Sequence, residues 1–304
     1  MLPLIRQPIA WPLVTPCLRA LAVAALLATS TARAAKEQVE AWTPAGVSSP
    51  QFESHAAFDP QSSDFYFVRS SPKFEGWRIL VSRCGATGWS IPQSPTFAGD
   101  GVEADPWFTP DGRTLYFIST RSSDGVKRKD LDIWRVERDE AGRWGVPRRL
   151  PEPVNSTSNE WFPHLAVDGW LYFGSNRPGG RGKTDIWRAR EQAGQWVAEN
   201  AGSAINGPGN DYEALPAPDG SWMIVEGDDR LYRTRRSGSG WSKREALPAE
   251  INVNGSEIGA AISPSGRTVL FARDTRGPLS GEFFIWHVGT VEAWPPRCPK
   301  VGSR

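Results

Sequence analysis

Short apolar runs alternate with Gly-, Pro- and Asp-rich punctuation along most of this 304-residue chain. Runs such as Leu115-Tyr116-Phe117-Ile118 and Leu171-Tyr172-Phe173 are aromatic and β-branched. They are too short for helices and are bounded by turn residues, so they predict buried strands. The pattern also repeats. Glu103 to Arg121 reads EADPWFTPDGRTLYFISTR, and Glu160 to Arg177 reads EWFPHLAVDGWLYFGSNR. Each starts with Glu, has Pro three residues later, then Asp-Gly, then a Leu-Tyr-Phe strand. Weaker copies start at Glu53, Asp211 and Glu257, so the starting acids are separated by 50, 57, 51 and 46 residues.

Each copy continues with a third strand, as in LDIWRVER from Leu131 and TDIWRARE from Thr184. In four copies a Gly-Trp or Gly-x-Trp turn and a fourth stretch follow, beginning at Gly88, Gly142, Gly194 and Gly240. Four short strands in roughly 50 residues is the size of a propeller blade. Such a unit buries its two faces only by stacking against copies of itself around an axis. The Asp-Gly pairs supply the positive φ that a tight hairpin demands. The expected fold is therefore all-β, a β-propeller of about five four-stranded blades. A sixth, degenerate blade assembled from both chain ends is the alternative. The segments EAWTPAG from Glu40 and VEAWPPR from Val291 both read as a lone outer strand able to close the ring.

These repeats, LYFGSNRPGGRGKTDIWRARE followed by INGPGNDYEALPAPDG above all, resemble the TolB-type, WD40-like propeller repeats of bacterial exported proteins. The resemblance spans roughly residues 50 to 290 and implies the propeller fold and a role at the cell envelope. TolB's separate N-terminal domain has no counterpart here, so its own partners do not follow. The fifth copy departs from the pattern, with Ser265-Gly266 for Asp-Gly and Ala260 for Pro.

Composition changes the picture at the N-terminus. Arg6 and Arg19, the apolar run Leu21 to Ala28 and Ala32-Arg33-Ala34 read as a secretory signal peptide, residues 1–34. Residues 35–304 are then one propeller domain, periplasmic or secreted, with no membrane span after processing. Cleavage leaves Cys84 and Cys298, which an oxidising compartment allows to pair as a disulfide. A formal charge of +1 gives no reason to expect nucleic acid.

Strand alternation places Glu53, Glu103, Glu160, Asp211 and Glu257 around the mouth of the central channel. Asp105 and Glu213 follow two residues further in. The long loops carrying Arg121, Lys127, Arg128 and Lys129, and Arg177, Arg181 and Lys183, predict a basic periphery on the same face. Those acids, with Arg121 and Arg177, are the candidate binding residues. Repeated residues in a repeat protein usually serve the repeat, and an acid at a strand start can bond backbone N–H groups or pair with an arginine. Asn155, Asn206 and Asn252, five residues before their acids, are expected to close turns.

Other chemistry is thin. RPGGRGKT lacks the first glycine of a phosphate loop and joins two strands. The chain has three histidines; His287 belongs to a third strand, and His55 and His164 read as packed or partly exposed strand residues. No metal or other cofactor and no catalytic residue is assigned. The expectation is a monomeric protein- or glycan-binding scaffold at the envelope. The alternative is a carbohydrate-active enzyme, a hydrolase or lyase, using channel-mouth carboxylates.

Overall fold

The computed structural model describes residues 39–123, 125–126, 128–228, 230–277 and 281–298. The expected signal peptide lies outside them. Every blade begins at a starting acid or the residue beside it. The first comprises Phe52–Phe58, Phe65–Ser70 and Arg78–Ser82, with Gln93 bridged to Val81 at its outer edge. The second comprises Glu103–Phe108, Thr114–Ser119, Asp132–Glu137 and Arg148–Arg149. The third comprises Glu160–Leu165, Leu171–Ser175, Asp185–Gln192 and Gln195–Asn200. The fourth comprises Asp211–Pro216, Trp222–Gly227 and Arg230–Ser237, edged by Gly240–Trp241 and Glu245–Ala246.

The fifth blade settles how the ring closes. Ile258–Ile262, Thr268–Asp274 and Gly281–His287 take Val39–Trp42 as their outer strand. That strand runs antiparallel to the last one, with Val39 opposite Trp286 and Trp42 opposite Phe283. Of the two expected closing segments, the N-terminal one supplies the strand, and the blades number five rather than six. The five innermost strands touch in cyclic order, the fifth packing back on the first.

The core lies between blades. Phe65, Phe67, Phe117, Phe173 and Phe271, all on second strands, are fully buried. Burying one such side chain stabilises by about 1.5–3 kcal/mol. The Gly-x-Trp turns explain themselves here. Trp144 Nε1 donates to Tyr66 Oη of the preceding blade at 3.2 Å, and Trp241 Nε1 donates to Tyr172 Oη at 3.1 Å. The expected hairpin glycines, Gly112, Gly169, Gly220 and Gly266, have φ between 68° and 82°.

Cys84 and Cys298 form the disulfide, with their Cα atoms 5.5 Å apart. The bond pins the C-terminal segment to the first blade, where Trp294 also packs edge-on against Phe58. Among the described residues no helix is long and apolar enough to cross a membrane.

Candidate functional site

The starting acids are built into the blades. Glu53, Glu103, Glu160, Asp211 and Glu257 are at most 2% exposed. Each accepts the backbone N–H of the residue four positions earlier: Ser49, Gly99, Ser156, Gly207 and Val253. Each also pairs with an arginine of its own blade. The partners are Arg69 at 2.7 Å, Arg121, Arg177 at 2.9 Å, Arg244, and Arg273 at 2.7 Å. Four of these arginines lie over the phenylalanine of their second strand, at 4.9–5.5 Å from Phe67, Phe117, Phe173 and Phe271. The same four donate to carbonyls of the inter-blade connection, Val47, Phe97, Val154 and Ile251.

This corrects two expectations. The acids do not present a ring of free charge to a ligand. Arg121 and Arg177 are not a basic periphery but the clamps that neutralise that ring. The repulsion among five carboxylates is compensated inside the fold, by charge-assisted hydrogen bonds. Burial still raises the pKa of Glu53, Glu160 and Asp211, against the pull of their serine, arginine and backbone donors. The fourth blade shows how specific the device is. Gly227 leaves no side chain at the end of its second strand, and a Cβ there would lie 2.1 Å from Asp211 Oδ1. Arg244 occupies that space from the outer connection. The asparagines fasten the inter-blade connection to the outer strands of the preceding blade rather than only closing turns. Asn155 accepts from Ile133 N and donates to Ile133 O and Leu150 O, and Asn252 does the same with Leu231 and Leu247.

Two residues further along each inner strand the chain bulges. The register shifts in every innermost pair. His55, Asp105 and Phe162 take positive φ of 52°, 55° and 48°, a conformation uncommon outside glycine. In the fifth blade this position is Gly259, where a Cβ would meet the His55 backbone nitrogen at 2.8 Å. The bulge turns these side chains to the axis. His55 of blade one stacks on Phe162 of blade three at 5.0 Å, a contact between blades that are not neighbours.

The axis carries two imidazole–carboxylate pairs. His55 Nε2 lies 3.2 Å from Asp105 Oδ1, and His164 Nε2 lies 2.9 Å from Glu213 Oε1. Each acid's second oxygen accepts a backbone N–H from the next blade, Phe162 N at 2.8 Å and Ala260 N at 3.1 Å. His55 Nδ1 is 2.6 Å from Ser54 Oγ, whereas His164 Nδ1 has no hydrogen-bond partner. Glu213 is fully buried, and His55, Asp105 and His164 are 4–6% exposed. Burial lifts the Asp105 pKa to about 8, helped by Glu213 and opposed by the Phe162 N–H. Burial, with His164 adding repulsion, lowers that of His55 to about 3. Near neutrality Asp105 is thus a carboxylic acid that donates to a neutral His55, whose Nδ1–H then faces Ser54.

Asp105 and Glu213 were legible as candidates; His55 and His164 are packed strand residues, as expected, but their pairing with those two acids was missed. The signal that finds His55 is variation: one repeat position reads His, Asp, Phe, Glu and Gly in successive blades, whereas His164, two residues past that position, carries no such mark. Trp107 and Trp161 are half-buried; Trp107 meets His164 edge-on at 6.1 Å, and Trp161 packs on Tyr212. Among the described residues no group of three or more His, Cys, Asp or Glu is arranged to hold a metal.

No protein-family profile and no curated protein sequence matches the chain. Solved structures do resemble it. The periplasmic gluconolactonase of Pseudomonas aeruginosa is 13% identical, with a TM-score of 0.42, and the match covers 76% of this chain and 70% of that one. A gluconolactonase of Xanthomonas campestris is 10% identical, with a TM-score of 0.48 and 83% and 95% covered. A glycoside hydrolase is also 10% identical, with a TM-score of 0.48 and 88% and 95% covered. The expected binding scaffold took the ring of acids as its binding face; arginines already occupy that ring, and the scaffold reading is withdrawn.

Proposed function

We propose that this chain is a carbohydrate-active enzyme, a hydrolase or lyase, whose acid and base stand on the propeller axis. The observation that carries the reading is the pair of His–carboxylate couples brought there from four different blades. The starting acids take no part. Acid–base catalysis needs a proton donor and a proton acceptor, both held in place. Asp105, protonated near neutrality, is the general acid that gives its proton to a departing oxygen. His164, with Nδ1 unpartnered, is the base that takes a proton from water or from a carbon next to a carbonyl. Glu213 is a positioning residue: it fixes the tautomer and orientation of His164. His55 holds Asp105 in its donating state.

Export to the periplasm belongs to the same proposal. The Ala32-Arg33-Ala34 site and the Cys84–Cys298 disulfide support it. Kinship with TolB-type repeats is likewise a proposal, limited to the repeat unit.

The test is a panel of sugar lactones, glycosides and uronides, followed by loss of product with wild-type protein, Asp105→Asn and His164→Asn. Each variant should lower kcat by about 100-fold or more with little change in KM. Wild-type protein inert on the whole panel, or variants that turn over normally, would remove the enzyme reading.

A further inference from the structure

The second blade differs from the others at its outer edge. Its last strand is only Arg148–Arg149, and Arg148 stands directly opposite Arg135 in the antiparallel register. Like charges facing each other across a strand pair are destabilising. Arg149 is satisfied, since it bonds both oxygens of Asp132 at 2.7 Å, and Arg128 approaches the same carboxylate at 3.6 Å. Arg148 is exposed, and among the described residues no carboxylate pairs with it. Arg149 and Arg128 thus share Asp132, and Arg148 stands beside them with no carboxylate of its own among the described residues. The corresponding outer strand of the third blade, Gln195–Asn200, carries no arginine.

This edge also bounds a cleft of about 510 Å³. Arg128, Arg148 and Arg149 line it, together with Ser122, Ser123 and the ring of Trp134. A smaller hollow of about 200 Å³ shares Arg148 with it but is also lined by Glu137 and Asp139, and its Arg135 and Arg138 are already paired, with Glu137 and Asp59. A local rule broken in one repeat, beside an open cleft, is where function is expected. Guanidinium forks bind carboxylates in bidentate fashion, and hydroxyls bond sugar hydroxyls. We infer that this cleft binds the carboxylate of an acidic sugar. The choice of a sugar as the carrier of that carboxylate rests on the carbohydrate reading above; the anion site itself does not. The basic edge is confined to one blade, too short for the many phosphate contacts by which a nucleic acid binds.

Isothermal titration of the mature protein with D-glucuronate, D-glucose, inorganic phosphate and a single-stranded oligonucleotide tests this. Glucuronate should bind in the millimolar range, and glucose should not. Arg148→Ala should weaken glucuronate about tenfold, since one charge-assisted contact is lost. Melting should be unchanged in that variant, because Arg148 is exposed and faces a like charge. Added salt should weaken binding as well. Glucuronate binding no better than glucose, or equally well in Arg148→Ala, overturns the inference. So does binding of phosphate or the oligonucleotide without glucuronate. His164→Asn should leave glucuronate binding intact, so a failed catalytic reading and a failed cleft are separable.

Discussion

Two sets of residues lie two positions apart on the same five strands and do opposite things. The starting acids are nearly invariant across the blades, and every one is capped, clamped and silent. The residues two positions beyond them are His55, Asp105, Phe162, Glu213 and Gly259, all different, and they meet on the axis. A residue repeated in every blade answers a need that every blade has, which is to join its neighbour. A residue that breaks the repeat answers a need of the whole ring, and a ring has one axis.

The sharpest way to break this comparison is to remove one clamp. Glu160→Gln should leave Arg177 buried without its carboxylate, at a cost of about 3–5 kcal/mol, or a melting temperature lower by about 10 °C. Because burial already raises Glu160 despite Arg177, the pair itself adds little net stability. Glu160→Gln with Arg177→Met should therefore recover at least half of the loss. A single variant that melts like wild type would move Glu160 out of the architecture.

Next in size is the axis position that must stay empty. Gly259→Ala places a methyl against the backbone of His55 at φ +64°. It should cost about 2 kcal/mol, and a displaced His55 should lower turnover as well. Normal melting with normal activity would show that the axis is not tightly fitted.

Asp105→Asn should change stability by less than about 1 kcal/mol below pH 4, since Asn mimics the protonated acid, and should be the more stable protein near neutrality. Its effect is on pH dependence. A carboxyl whose folded pKa lies above its unfolded value holds its proton more tightly when folded. Its contribution is complete below the unfolded pKa near 4 and is lost as pH rises through about 8. Melting curves of the variant should lack that decline. A wild-type profile without it would place Asp105 in the ionised form.

The smallest effect belongs to the ring seam. Glu282 is buried, and burial, with Glu53 adding repulsion and Ser48 opposing, raises its pKa to about 7. By the same sign, its stabilising contribution fades from near pH 4.5 upward through 7. Glu282→Gln should raise the melting temperature by about 2 °C at pH 8 and leave it unchanged below pH 4.5. An equal shift at both values would mean packing, not charge.

The period near 50 residues, the Asp-Gly hairpins and the Leu-Tyr-Phe strands were enough to read the propeller, because blade geometry is local and each copy states it again. Cys84 and Cys298 were legible as a pair from compartment chemistry. The closing strand was not. Val39–Trp42 and the segment after Val291 carry the same local pattern, and only the partner that Gly281–His287 accepts decides between them.

The site divides in the same way. Chain position alone put carboxylates at strand starts and named Asp105 and Glu213. It left the arginines of the long loops free and the histidines in the wall. Arg177 is 17 residues from Glu160, and His164 is 49 from Glu213. Both distances collapse only when a hairpin folds or neighbouring blades pack. The one-residue bulge that swings His55 and Asp105 to the axis has no mark in the alternation of apolar and polar positions. It is seen only in the folded ring, where the register shifts in each innermost strand pair and re-aims a side chain. Sequence determined the blade; the ring determined which of its residues face one another.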